Sequence, residues 1–217
     1  MTEGGTRGTR DAGPVGRALL GFQRLVDGLT EVQGWLAKWL VPVCVTVAFV
    51  NVVLRYVGRY QGRALTSNRY LEAQWMLFGA IFLLALPYIL KHNVNVRVDF
   101  FASRFSEKRQ ALIDFAGHLI ALVPFCLFAL WVNWDFALRS LYQKGERWST
   151  WKVWQIWEQS PDASGLPRGP IKAFILLGFG FLLLQTLAEL VRLGMVLAGR
   201  KAASELERPS GAELGVQ

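Results

Sequence analysis

Four long apolar runs, each cut off by a short basic or polar stretch, set the pattern of this chain. They occupy about residues 35–57, 72–90, 111–136 and 171–197. A helix rises 1.5 Å per residue, so runs of this length cross a hydrocarbon core of about 30 Å. The pattern predicts an all-α membrane protein with four transmembrane helices. Pro42, Pro87 and Pro124 lie inside the runs, where lipid-embedded helices tolerate them with local distortion. Gly178 and Gly180 give the fourth run a small-residue patch where a second helix can approach closely.

The stretches between the runs carry their own periodicity. Val98, Phe101, Ala102 and Phe105 recur at helical spacing, with Arg97, Arg104, Glu107 and Lys108 on the other side. That predicts a short interfacial amphipathic helix at about 97–109, between spans two and three, lying flat at the headgroups. Ser106 is placed to cap the helix that follows. Further on, RWSTWKVWQIWEQS sets Trp148, Trp151, Trp154 and Trp157 three residues apart. Spacing by three drifts about 60° per step around a helix. Lys152, Gln155 and Glu158 keep the segment from being a span. Indole favours the membrane–water interface, so the segment reads as amphipathic, at the outer membrane surface or against a partner. A ligand-stacking box would need convergent polar groups, which the sequence does not locate.

Composition sharpens this picture. The chain has 217 residues, is 53% hydrophobic and carries a formal net charge of +8. Its Lys and Arg residues sit in end segments and short loops, the placement expected for orientation and headgroup contact and not for nucleic acid. Four spans put both termini on one side. The lead (Arg7, Arg10, Arg17, Arg24) and the loop at 91–110 favour that side being the inside. Arg55, Arg59, Arg63 and Arg69, in and beside the loop at 58–71, pull against this and leave the bias modest. The expected organisation is a lead at 1–34, a membrane domain at 35–197 with the Trp-rich loop 137–170 outside, and a tail at 198–217. Residues 1–16 and 200–217 have the polar composition of disordered tails. The lead is too long and lacks a small-residue cleavage site, so the first run does not read as a signal peptide.

Ionisable residues inside apolar runs are functional suspects by default. Glu72 opens the second run. Asp114 and His118 are four apart in the third. Gln185 and Glu189 are four apart in the fourth, with Arg192 three further on and able to pair with Glu189. None of the acids lies at a clear mid-span position, which argues against a self-contained ion-coupled carrier. Cys44 and Cys126 lack metal-ligand spacing and read as small buried hydrophobes. His92 and His118, near one membrane face, leave a haem-bearing anchor of a respiratory enzyme as one alternative. A stand-alone small transporter is another. There is no HExxH, phosphate-binding glycine loop or nucleophile motif, so no enzyme, metal site or cofactor is expected.

The order and spacing of several motifs then converge. Glu72 and Trp75 open span two, and His92 is followed by Val98-Asp99. Glu158-Gln159-Ser160 precedes Gly165-Leu166-Pro167, and Pro170-Ile171-Lys172, Gly178 and Gln185 through Glu189 complete the set. Together they resemble the DctQ-type small permease subunit of tripartite ATP-independent periplasmic (TRAP) transporters, over about residues 35–195. The resemblance implies a four-helix subunit of the bacterial inner membrane with cytoplasmic termini. It implies two protein partners, a large multi-span permease that holds the ion and substrate sites and a periplasmic substrate-binding protein. Candidates for structural or partner contacts are Glu72, Trp75, His92, Arg97, Asp99, Asp114, Glu158, Gln185 and Glu189, together with Trp148, Trp151, Trp154 and Trp157, which stand on their own interfacial spacing and not on the resemblance. The Trp-rich insert is not a feature expected of every member.

Overall fold

A computed structural model of the chain describes residues 14–92, 107–142 and 157–198. These form α1 (Pro14–Gln61), α2 (Asn68–Lys91), α3 (Glu107–Gly117), a π turn (His118–Leu122), α4 (Val123–Leu141) and α5 (Gly169–Leu197). Among the described residues there is no strand. Four stretches are long and apolar enough to cross a membrane: Ala18–Gln61, Asn68–Lys91, Lys108–Leu141 and Gly169–Leu197. The chain is an all-α, multi-pass membrane protein. Most of the expected interfacial helix lies outside the described residues; its last three, from Glu107, already belong to α3.

The helices begin and end where local chemistry allows. Pro14 opens α1, at a position whose missing N–H would have no helical partner anyway. Gly62 closes it at φ +66, and the N–H of Arg63 bonds the Gly58 carbonyl at 3.0 Å. This is the six-to-one bond of a left-handed glycine cap. Gly58 is buried against the returning chain, and a Cβ there would come within 2.5 Å of the Arg63 carbonyl. Ser67 caps α2, its hydroxyl accepting the Arg69 N–H at 3.4 Å. Pro124, expected to distort its helix, lies two residues past the π turn. The Val123 N–H reaches back to the His118 carbonyl there, because the proline ring crowds the carbonyl four residues earlier.

At 48 residues, α1 is far longer than the apolar run from about 35 to 57. Hydropathy marks only its most apolar part. The helix continues through the lead because a buried stripe continues there, at Gln23, Val26, Thr30, Gln33 and Ala37. Half-buried Leu40, Cys44, Val47, Asn51 and Leu54 and buried Gly58 extend the stripe with the same alternating three–four spacing. Its members are mostly small or polar. The large apolar residues face outward instead, with Val32, Trp35, Val45 and Phe49 all more than half exposed. A helix with polar groups turned in and bulky hydrocarbon turned out is one built for lipid, where the outer face costs nothing and inward polar groups bind to one another.

The described residues fall into two compact units. One takes the chain up to Val32, Pro87–Leu127 and the chain from Phe181; the other takes Gln33–Leu86 and Phe128–Gly180. In the first, α3 and α5 meet through Ala111, Leu193 and Val196, with Phe115 against them. In the second, α5 meets α2 where a Cβ on Gly178 would lie 2.8 Å from the Leu83 side chain. Among the described residues nothing lies within 4 Å of a Cβ on Gly180, so there only one of the two expected glycines serves a close approach.

Candidate functional site: two polar knots

In the second unit the first turns of α2 grip the segment ahead of α5. Asn68 donates to the Ala163 carbonyl at 3.2 Å, and Arg69 Nε to the Ser164 carbonyl at 3.1 Å. Glu72, only 2% exposed, accepts the hydroxyl of Ser160 and the backbone N–H of Leu166. Arg168 stands 3.7 Å from the same carboxylate. A buried carboxylate survives in a low-dielectric site only with donors around it, and this one has three. The segment is shaped to supply them. Ser164 adopts φ 60 at the third position of a turn closed by the Gly165 N–H on the Asp162 carbonyl at 3.0 Å. Gly165 follows because a Cβ there would sit 2.7 Å from the Glu72 carboxylate.

The same segment is tied at its two ends. The Glu158 N–H bonds the Ser140 carbonyl at 2.8 Å, and the Arg168 N–H bonds the Glu158 carbonyl at 2.8 Å. The Glu158 carboxylate pairs with Lys172, whose ammonium also lies 4.0 Å over the Phe136 ring. That hydrogen bond from Lys172 holds the Glu158 carboxyl below the ordinary carboxylate range, against desolvation that raises it. Trp157 packs over Gly169, where a Cβ would lie 3.0 Å from the indole. This tryptophan therefore helps seat the segment on the start of α5. Trp75, one turn after Glu72, is 44% exposed.

In the first unit the knot centres on Gln185, which is fully buried. Thr30 donates to its amide oxygen at 2.7 Å, and its amide nitrogen donates to the Asp27 carboxylate at 3.2 Å and reaches Glu189 at 3.4 Å. Glu189 pairs with Arg192 at 2.7 Å, as their spacing predicted. Glu31 takes the Lys91 ammonium at 2.5 Å and the His92 Nε2 at 2.9 Å, and Lys91 also donates to the Asp27 carbonyl at 2.9 Å. The His92 ring lies against Tyr88, with centroids 4.3 Å apart. His118 Nδ1 bonds the backbone carbonyl of Asp114 at 2.6 Å.

The structure thus joins Glu72 to Glu158 through one segment, and His92 and Gln185 to residues of the lead, with Glu189 bonded to Gln185 and Arg192. Arg97, Asp99, Trp148, Trp151 and Trp154 lie outside the described residues. Sequence reasoning missed Asp27, Thr30 and Glu31, which sit in the hydrophilic lead, and Arg168. The buried three–four stripe running back from Ala37 through Thr30 was the available signal for the lead. Cys126 is fully buried, as expected of a small core residue, whereas Cys44 is only half-buried, its thiol 3.6 Å from the Gln74 carbonyl. Among the described residues no group of three or more His, Cys, Asp and Glu is placed to hold a metal.

What the arrangement does chemically is fasten helices, and the segment ahead of α5, to one another with donor-rich contacts. All of the residues that carry it except Asp27, Thr30 and Glu31 fall in the part of the chain that a family model recognises. The model for the DctQ component of tripartite ATP-independent periplasmic transporters matches residues 44–194. No curated protein and no solved structure matches the chain. A match over most of the sequence, on four helices fit to span a membrane, establishes that the chain belongs to the DctQ family of TRAP transporter small permease subunits.

Proposed function

We propose that this subunit is a static brace. It holds a large multi-span permease in the bacterial inner membrane while that partner moves an organic acid or similar solute inward, coupled to an ion such as sodium. A periplasmic binding protein delivers the solute to the pair. Both termini lie on the cytoplasmic side, and the segment around Trp157–Arg168 faces the periplasm. The observation that carries the bracing role is the use made of the buried polar groups. Glu72, Gln185 and Glu189 are bonded within the chain. A moving, ion-binding element needs carboxylates that change partners, whereas these clamp one arrangement. Exposed Trp75 and the Trp148–Trp157 stretch are the proposed contacts to partners.

The test is a tagged purification of the full chain in mild detergent from its own host, followed by uptake in proteoliposomes. A stoichiometric large membrane protein, with uptake that needs both chains, the binding protein and a sodium gradient, is the expected result. Uptake by this chain alone would overturn the bracing role. A co-purifying redox enzyme with a visible haem absorption band would replace it with the respiratory-anchor reading.

A further inference from the structure

One feature of α1 serves neither knot. Arg55 and Arg59, one turn apart and both exposed, line a groove with Val52 and Tyr56. Arg69 of the same basic group is spent on the Ser164 carbonyl. Among the described residues neither Arg55 nor Arg59 has an ion-pair partner. These arginines also belong to the basic group that weakens the charge bias for orientation, so topology does not explain them. A guanidinium pair at the end of an otherwise apolar outward face calls for an anion.

The rest of that face says which anion. Val45, Phe49 and Val52 lead to Tyr56 at helical spacing, and they are 61%, 67%, 51% and 67% exposed. From Val45 to Arg59 the helix rises about 21 Å. One leaflet, hydrocarbon plus headgroup, is about 20–22 Å deep. Tyr60, 97% exposed, adds an aromatic of the kind found at headgroup level. We infer that α1 holds an anionic phospholipid, its phosphate between Arg55 and Arg59 and an acyl chain along Val52, Phe49 and Val45. A protein partner on this face would have to supply carboxylates to the same guanidiniums while covering hydrocarbon a leaflet deep. A phospholipid supplies both at once. The inference stands on the membrane-spanning helix and does not depend on the bracing role.

The test is native mass spectrometry and thermal melting of the purified full chain, with whatever subunit accompanies it. The added probes are phosphatidylglycerol, phosphatidylethanolamine and inorganic phosphate. The wild type should retain phosphatidylglycerol over phosphatidylethanolamine by about tenfold, since each interfacial arginine contributes a several-fold preference for anionic lipid. Arg55→Gln with Arg59→Gln should bring the ratio near one, and Arg55→Lys with Arg59→Lys should keep most of it. If the double Gln chain fails to accumulate, each single Gln variant must lower the ratio. Equal retention of the two lipids by the wild type would overturn the inference. So would a preference that survives the Gln variants, or inorganic phosphate stabilising as well as phosphatidylglycerol does.

Discussion

The buried carboxylate of Glu72 accepts the backbone N–H of Leu166, 94 residues along the chain. A main-chain donor cannot be mutated away, so the bond fixes where the segment sits and not merely which side chains it carries. Glu72→Ala would strand that N–H, the Ser160 hydroxyl and the Arg168 guanidinium. Breaking one partner out of such a buried set costs about 3–5 kcal/mol. Glu72→Gln should cost less, because an amide oxygen still accepts one bond. Thermal melting of the full chain in detergent checks both, and an unshifted melting temperature for Glu72→Ala would show that the segment is held some other way.

Thr30 and Gln185 offer a cleaner measure of a single bond. Thr30→Val and Gln185→Leu should each destabilise the chain, and the double variant should lose less than their sum. The coupling expected of an interhelical hydrogen bond in lipid is about 1 kcal/mol. A double-mutant cycle in melting or denaturant titration reads it directly, and strict additivity would mean that the bond contributes nothing.

Gly178 and Gly180 look alike in sequence and should behave in opposite ways. Gly178→Leu would drive a side chain into Leu83 and push α5 from α2. Gly180→Ala meets open space and should stabilise its helix by up to about 1 kcal/mol through propensity alone. At Gly62, where φ is +66, alanine should cost about 1 kcal/mol and asparagine less. Parallel melting curves of the variants would separate these cases.

Acid should release the Glu158 tie. Its folded-state pKa is lowered, first by the Lys172 hydrogen bond. The folded chain therefore binds fewer protons than the unfolded chain just below the ordinary carboxylate value of about 4.3. The stability from this group is fully present above that value and is lost as the pH falls through the lowered one. Between pH 6 and pH 3 the wild type should lose more melting temperature than Glu158→Gln; equal losses would show that the pair does not contribute.

How far these contacts were legible differs residue by residue. Glu72, Gln185 and Glu189 stood out because a polar group in an apolar run always needs a partner. The partners did not stand out. Leu166 N–H is a backbone group, and the turn that aims it follows from Ser164 and Gly165 conformations rather than from any period. Asp27, Thr30 and Glu31 were hidden for another reason. Averaging hydropathy over a window registers a polar lead and discards the three–four stripe within it. The same averaging picks out only the apolar run from about Trp35, and the helix that contains it runs from Pro14. Pro124 was expected to distort its helix, but its expression as a π turn depends on carbonyl crowding that composition does not encode.

The Gln185 knot also constrains the making of the protein. Thr30 and the Gln185 amide are 155 residues apart, so nearly the whole chain must be synthesised before the bond can close. Until then Asp27, Thr30 and Glu31, within the first helix, wait without the partners that α5 and the end of α2 will bring. A chain cut short before its last helix would leave Thr30 and the Asp27 carboxylate without Gln185, although Glu31 would already have Lys91 and His92. Completion of α5 brings Gln185 to Thr30 and Asp27 and closes the set.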